Sequence, residues 1–187
     1  MRKTIVVIAS ILLVLFLAAC KSESAADWQQ YQNDSLGISF EHPQSWMIQE
    51  ANGVITLAGE QEDFDEGLTT GASATIMVAT TSDFDGWNDP GDILGLYMDY
   101  FEMGRENLEK IGEPEFITIQ DQPAGLVSYR GTVLDQSGLF TAVVVINEER
   151  IALLLAFDGS DGEQHQETLE RVAQSILVYP PGNQVNQ

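Results

Sequence analysis

Two stretches of this 187-residue chain, Leu139–Ile146 and Ile151–Phe157, are almost continuously apolar and are separated by only Asn147-Glu148-Glu149-Arg150. A strand with one face in water alternates apolar and polar residues, because successive side chains point to opposite faces. An unbroken apolar run in an antiparallel strand therefore needs cover on both sides. The covering elements are two helices. For the first, Asp89 is a good N-cap, Pro90 takes the first helical position and Asp92 lies in the positive first turn. Leu94, Tyr97, Phe101, Leu108 and Ile111 then fall on one helical face, and Gly112 and Pro114 stop it. The second opens at a capping box, Ser160-Asp161-Gly162-Glu163, and carries Leu169, Val172, Ala173 and Ile176 on its inner stripe.

The remaining segments read as further strands: Trp28–Tyr31 and Leu36–Glu41 about an Asn33-Asp34 turn, then Trp46–Glu50 and Val54–Leu57 about Asn52-Gly53, a hairpin signal. An acidic loop, Glu60–Gly71, leads to Ala74–Thr81. After the first helix comes a meander, Glu115–Gln120 and Leu126–Leu134, joining the two apolar strands through turns at Pro123-Ala124-Gly125 and Ser137-Gly138. The fold class is α+β, an antiparallel sheet sandwiched between helices, with the N-terminal hairpins at one side. Residues 28–179 form the one globular domain, and 180–187, opening on Pro180-Pro181-Gly182, form a flexible tail.

The N-terminus carries an address. Met1-Arg2-Lys3 is a short positive segment, Ile5–Leu17 is apolar but for Ser10, and the run closes on Leu17-Ala18-Ala19-Cys20. That is the layout of a secretory signal with small residues before the cut. The 15 residues Ile5–Ala19 span about 23 Å as a helix, short of the roughly 30 Å of a bilayer core. Leu-Ala-Ala-Cys resembles the lipobox of bacterial lipoproteins. The resemblance implies a signal peptide of residues 1–19 cleaved between Ala19 and Cys20, and lipid on Cys20. Residues 20–27 then serve as lipidated cysteine and polar tether. Two or three acyl chains make a lasting anchor where one would not.

Charge narrows the partners. The chain has 8 basic and 29 acidic residues, and loss of Arg2 and Lys3 with the signal leaves 6 against 29, a net −23. Phosphates would be repelled, which excludes nucleic acid as a partner, and anionic headgroups are disfavoured likewise. The membrane is reached through the lipid on Cys20, on the extracytoplasmic face of the cell membrane or, in a two-membrane envelope, at the outer membrane. The domain is expected to be monomeric and to meet an unidentified protein partner.

Tyr31, Gly37-Ile38-Ser39-Phe40-Glu41-His42-Pro43 and Trp46 resemble the opening signature of the PsbP-like family, and Ile151–Tyr179 follows its closing order of apolar strand pair, helix and short strand. The resemblance implies an antiparallel sheet between helices. It implies no activity, since family members include an extrinsic photosystem II subunit and a Ran-binding factor shares the fold.

Catalytic signatures are sparse. His42 and His165 are the only histidines and Cys20 the only cysteine, which leaves no thiolate or histidine pair for zinc. No G-x-S-x-G elbow or phosphate-cradling loop occurs. Asp83–Asp89 and Asp158–Glu163 superficially resemble calcium loops, but both directly precede a helix, where capping accounts for their Asp, Ser and Gly. Glu60, Glu62, Asp63, Asp65 and Glu66 read as a solvated charge run, and Trp28, Trp46 and Trp87 as rim packing. No catalytic residue, metal ligand or cofactor is expected. Two functions remain: a non-enzymatic binding, scaffold or accessory subunit of an envelope complex, or an envelope hydrolase with an unrecognised site. The anchor is open to direct test: the protein should partition with membranes and take up labelled fatty acid, and Cys20→Ala should abolish the label. A Cys20→Ala protein that remains lipidated would refute the lipobox.

Overall fold

The structure, a computed structural model, describes residues 27–59, 71–84, 89–103, 108–133, 136–159 and 164–182. A small sheet of three strands holds β1 (Trp28–Asn33), β2 (Ile38–Pro43) and β10 (Leu177–Val178), in the order β1-β2-β10. The large sheet holds β3 (Met47–Ala51), β4 (Val54–Ala58), β5 (Ala72–Thr80), β6 (Leu108–Ile119), β7 (Gln122–Val133), β8 (Gln136–Ile146) and β9 (Arg150–Asp158). Its order is β3-β4-β5-β9-β8-β7-β6, and all pairings are antiparallel. A 3-10 turn at Thr81–Phe84 precedes α1 (Pro90–Glu102), and α2 (Gln166–Gln174) precedes β10.

The two apolar strands lie in the middle of the large sheet, with Val143 opposite Leu154 and Val144 opposite Leu153. Their side chains sort into two cores. Val143, Val145, Ala152 and Leu154 pack with Leu169 and Val172 of α2 and with Ile38 and Phe40 of the small sheet. Phe140, Val144, Ile151, Leu153 and Phe157 pack with Ile93 and Leu94 of α1. Both faces are therefore covered, as the missing polar face requires. One of the two layers is compound, because the first hairpin pairs with β10 in a sheet of its own.

Local chemistry explains the joints. Asn52 (φ 54°) and Gly53 (φ 79°) turn the β3–β4 hairpin with both central residues left-handed. Gln120 (φ 49°) and Asp121 (φ 61°) do the same between β6 and β7. The turn expected at Pro123-Ala124-Gly125 is thus displaced: those residues lie inside β7, paired with Thr118, Ile117 and Phe116. No glycine marks the true turn, which relies on the tolerance of Asp for positive φ. Ser137-Gly138 is likewise strand, pairing with Thr132 and Gly131. A Cβ on Gly138 would lie 2.3 Å from the Asp158 carbonyl oxygen, so this glycine serves close strand approach.

The first helix is shorter than its periodicity suggests. It ends at Glu102 with Met103 as C-cap, and Leu108 and Ile111 belong to β6, opposite Gly131 and Ser128. Gly112 (φ 73°) and Pro114 mark a register shift between Ile111 and Glu115 and do not stop a helix. The apolar spacing that read as a helical stripe is satisfied better by a long hairpin with β7. The second helix begins at Gln166, so the Ser160–Glu163 box, outside the described residues, does not open it. His165 is the N-cap without a side-chain cap bond, and the buried Asp158 carboxylate accepts its N–H at 2.9 Å. The acid closing β9 thus takes the part a capping-box glutamate would play.

Tyr179 N–H donates to the Gly37 carbonyl and Gly182 N–H to the Asp34 carbonyl, each at 2.9 Å, which ties residues 179–182 to the β1–β2 turn. The tail expected from residue 180 is therefore held through Gly182, and residues 183–187 lie outside the described set. Gly37 (φ 71°) could not be another residue, since its Cβ would fall 2.0 Å from the Tyr179 carbonyl oxygen.

Leu154 is fully buried between β5 and β8, opposite Ile76 and Val143. Leu154→Asp should abolish the cooperative urea transition, since an unpaired buried carboxylate costs several kcal/mol against a total of about 5–15. Met77→Asp, at a site 38% exposed on β5, should remain folded with a change of about 1 kcal/mol or less. A normal melt for Leu154→Asp would contradict the two-sided sheet.

Candidate binding cleft

Seven strands spaced about 4.8 Å apart make a sheet roughly 29 Å across, whereas nine helical residues extend only about 14 Å. Among the described residues helix α2 packs mainly against β2, β5 and β9, away from the β8-β7-β6 side of its face. A cleft of about 500 Å³ lies there. Its floor is Leu126, Val127 and Ser128 of β7, Leu139, Thr141 and Val143 of β8, and Leu154, Ala156 and the buried Asp158 of β9. One wall is Gln166, Leu169, Glu170, Ala173 and Gln174 of α2, and the other is Ile111, Glu113, Glu115, Ile117 and Ile119 of β6. The Ser128 and Thr141 hydroxyls bond to each other at 2.9 Å. The result is an apolar trough with carboxylates on both walls.

A smaller polar hollow of about 320 Å³ lies on the other side of α2, between Gln30, Glu41, Gln120 and Arg171. The Arg171 guanidinium donates to Glu41 Oε2 from Nε at 3.1 Å and from Nη2 at 2.8 Å, and sits 4.0 Å above the Trp28 ring. Its charge is already engaged by an acid and an aromatic face.

Neither histidine enters the larger cleft. His42 is buried on β2, with its ring Nδ1 2.9 Å from the Pro43 carbonyl oxygen, and His165 caps α2. Burial pushes the His42 imidazole below its ordinary value of 6.5, and the bond to the Pro43 carbonyl partly opposes this. Tyr179 is moved the opposite way, to about 12, by burial and then by the Asp34 carboxylate, to which its hydroxyl donates at 3.1 Å.

The acids before each helix act as caps where they are described. Asp83 accepts the Thr80 N–H and hydroxyl at 2.9 and 2.7 Å, and Asp89 accepts the Gly91 N–H at 2.7 Å. Among the described residues no group of three or more His, Cys, Asp or Glu could hold a metal ion, and no helix is long and apolar enough to cross a membrane. Ala19, Cys20, Glu60, Glu62, Asp63, Asp65, Glu66 and Trp87 lie outside the described residues. Trp46 is buried and Trp28 half-buried under Arg171, so these two do not form a stacking set. The Glu115–Ile119 half of the cleft's outer wall lies on a strand, as expected from the sequence; only Ile111 and Glu113, assigned there to the end of a helix, were missed.

Solved structures of similar shape define the class of this fold. The cyanobacterial PsbP, CyanoP, of Synechocystis matches with a TM-score of 0.57 at 18% identity, over 86% of this chain and 98% of that one. LpqN of Mycobacterium tuberculosis, described as involved in cell envelope biogenesis, matches with a TM-score of 0.59 at 11% identity, over 82% and 91%. PA94 of Pseudomonas aeruginosa, a protein of unknown function, matches with a TM-score of 0.52 at 15% identity, over 82% and 98%. No protein-family model matches the sequence, and no curated protein is significantly similar to it. The fold is PsbP-like. In that fold the signature residues Gly37, Phe40, Pro43 and Trp46 are spent on packing, consistent with the burial of Phe40, Pro43 and Trp46 and the crowding at Gly37.

Because folding lowers the His42 pKa, the unfolded chain takes up a proton near pH 6.5 that the folded protein refuses. The His42 contribution to stability should therefore be intact above pH 6.5 and should be lost as pH falls through the lower folded-state value, at no more than about 1.4 kcal/mol per pH unit. Urea midpoints of wild type and His42→Gln compared between pH 7.5 and 5.5 check this. Equal slopes for the two proteins would show that His42 is not the group responsible.

Proposed function

We propose that this protein is a lipid-anchored extracytoplasmic binding module, non-enzymatic, which recruits a protein partner to the membrane through the cleft between α2 and the β6–β9 face. The observation that carries the reading is the make-up of the cleft: a mostly apolar floor with the carboxylates of Glu113, Glu115, Asp158 and Glu170 around it and no histidine in its walls. General acid–base work near neutral pH recruits a histidine or a carboxylate of shifted pKa. Here the lining hydroxyls of Ser128 and Thr141 bond to one another. Apolar pockets with a few placed polar groups are characteristic binding sites.

Four further observations support the setting. Leu17-Ala18-Ala19-Cys20 supplies the anchor, Lys21–Asp27 a tether of at most about 25 Å, and the acidic surface keeps the domain off anionic headgroups. The structural likeness to LpqN, described as involved in envelope biogenesis, suits an envelope site. Accessory service to an envelope complex is the role that follows.

Photo-crosslinkers placed at Ile117, in the cleft wall, and at Gln49, exposed on β3, distinguish docking from chance. In native membranes Ile117 should give one dominant protein adduct by mass spectrometry, at about tenfold the yield of Gln49. Equal yields would remove the cleft as docking site. Turnover of an ester or peptide that His42→Ala or His165→Ala eliminates would make the protein a hydrolase instead.

A further inference from the structure

We propose that the free edge of β6 accepts, by antiparallel strand addition, an extended partner segment in which basic and apolar residues alternate. This rests on the binding-module reading and names the form and chemistry of what that module binds.

Among the described residues β6 is the last strand of the large sheet, so alternate backbone N–H and C=O groups point away from β7 with no further described strand beside them. It is 12 residues long, whereas β3 at the opposite edge has 5. Proteins guard such edges with charge and bulges, and β6 has both, in Glu109, Lys110, Glu113, Glu115 and the irregularity between Ile111 and Glu115. Guarding does not account for its apolar residues. Phe116 is 63% exposed, Ile111 44% and Ile117 37%, on a strand whose neighbour β7 buries Ala124, Val127 and Tyr129.

The two faces of β6 specify the added strand. On the cleft face Glu115, opposite Leu126, presents an acid, and on the other face Phe116, opposite Gly125, presents an exposed ring, so basic and apolar residues in alternation meet both. A strand laid about 4.8 Å outside β6 would set its own side chains against these, and opposite charges directly across are stabilising. On the other face it would cover Phe116, whose ring lies so near the start of α1 that a Cβ on Gly91 would meet it at 3.1 Å. The register is straight on either side of the bulge, and the run from Glu115 to Ile119 lies beyond Pro114, which has no N–H to offer, and carries the exposed Phe116 and Ile117. That run is the platform. A second copy of this chain would bring Glu115 and its neighbours against like charge, with a net −21 on each molecule, so the edge rejects itself and selects a basic strand.

The test uses the full-length lipoprotein in detergent micelles and fluorescent nine-residue peptides, read by anisotropy. The probes are alternating Lys and Val, alternating Glu and Val, and the Lys/Val peptide N-methylated at every second residue to block one edge. The Lys/Val peptide should bind, and more weakly as salt is raised. N-methylation and Glu115→Lys should each weaken binding about tenfold or more. Glu115 is exposed, so an unchanged urea midpoint should show that the variant is folded. Binding indifferent to N-methylation or to Glu115→Lys, equal binding of the Glu/Val peptide, or no Lys/Val binding at millimolar concentration would each overturn the proposal. So would a sedimenting dimer broken by Glu115→Lys, which would assign the edge to a second copy. Failure here with a persisting Ile117 adduct in membranes sinks strand addition alone, whereas loss of the adduct sinks the binding-module reading itself.

Discussion

Val143 and Val144 are neighbours in sequence and point to opposite faces of the large sheet, one into the core under α2 and the other into the core under α1. Both are buried, as are their cross-strand partners Leu154 and Leu153. Every other feature of the architecture answers the need to keep water from both sides of this strand pair. At about 25 cal/mol per Å² of apolar surface, leaving either face open would forfeit several kcal/mol, comparable with the whole stability of a domain. One face is met by α1, with Phe84 of the 3-10 turn packed beside it. The other needs α2 together with the small sheet, because a nine-residue helix cannot span it.

The small sheet depends on close backbone approaches. β10 joins β2 through Leu177 and Val178, and Tyr179 then passes Gly37 at a distance no Cβ would permit. The Tyr179 hydroxyl closes the contact by donating to the Ile38 carbonyl at 3.0 Å and to Asp34. Gln122 ties the same segment to the large sheet, accepting the Val178 N–H at 3.0 Å and donating to the Val178 carbonyl at 2.6 Å. The glycine of the opening signature is therefore a packing requirement, and so are Phe40 and Trp46, which explains how the PsbP-like scaffold can serve unrelated tasks. What distinguishes one such protein from another lies where the scaffold leaves its sheet uncovered.

In this chain that place is the β6–β9 side. The long β6–β7 hairpin extends the sheet beyond the reach of α2, and the trough between them follows from that mismatch. Its lining is a mostly apolar floor, the carboxylates of Glu113, Glu115, Asp158 and Glu170, and the Ser128 and Thr141 hydroxyls bonded to each other. His42 and the described capping acids are engaged within the fold. His42 bonds to Pro43, and Asp83, Asp89 and Asp158 hold backbone N–H groups at the starts of a 3-10 turn and two helices.

The sequence by itself determined the strands that need two-sided cover, the Asn52-Gly53 hairpin, the start of α1 at Pro90 and the inner stripe of α2. In each case the determinant is local: side-chain alternation, a residue suited to positive φ, a ring that presets φ, or a repeat of three and four residues. Only the tertiary structure decided where α1 ends, that Ile111 and Leu108 belong to a strand, that Gln120-Asp121 makes the turn, and that β1, β2 and β10 form a separate sheet. Apolar spacing around Leu108 and Ile111 fits a helix or a strand, and pairing with β7 resolves it. Gly138 and Gly37 are alike silent in sequence, because what each makes room for, Asp158 or Tyr179, lies 20 or more residues away along the chain. The candidate site belongs wholly to this second category. A cleft made by the mismatch between a short helix and a wide sheet leaves no motif, since it is defined by what the packing fails to cover.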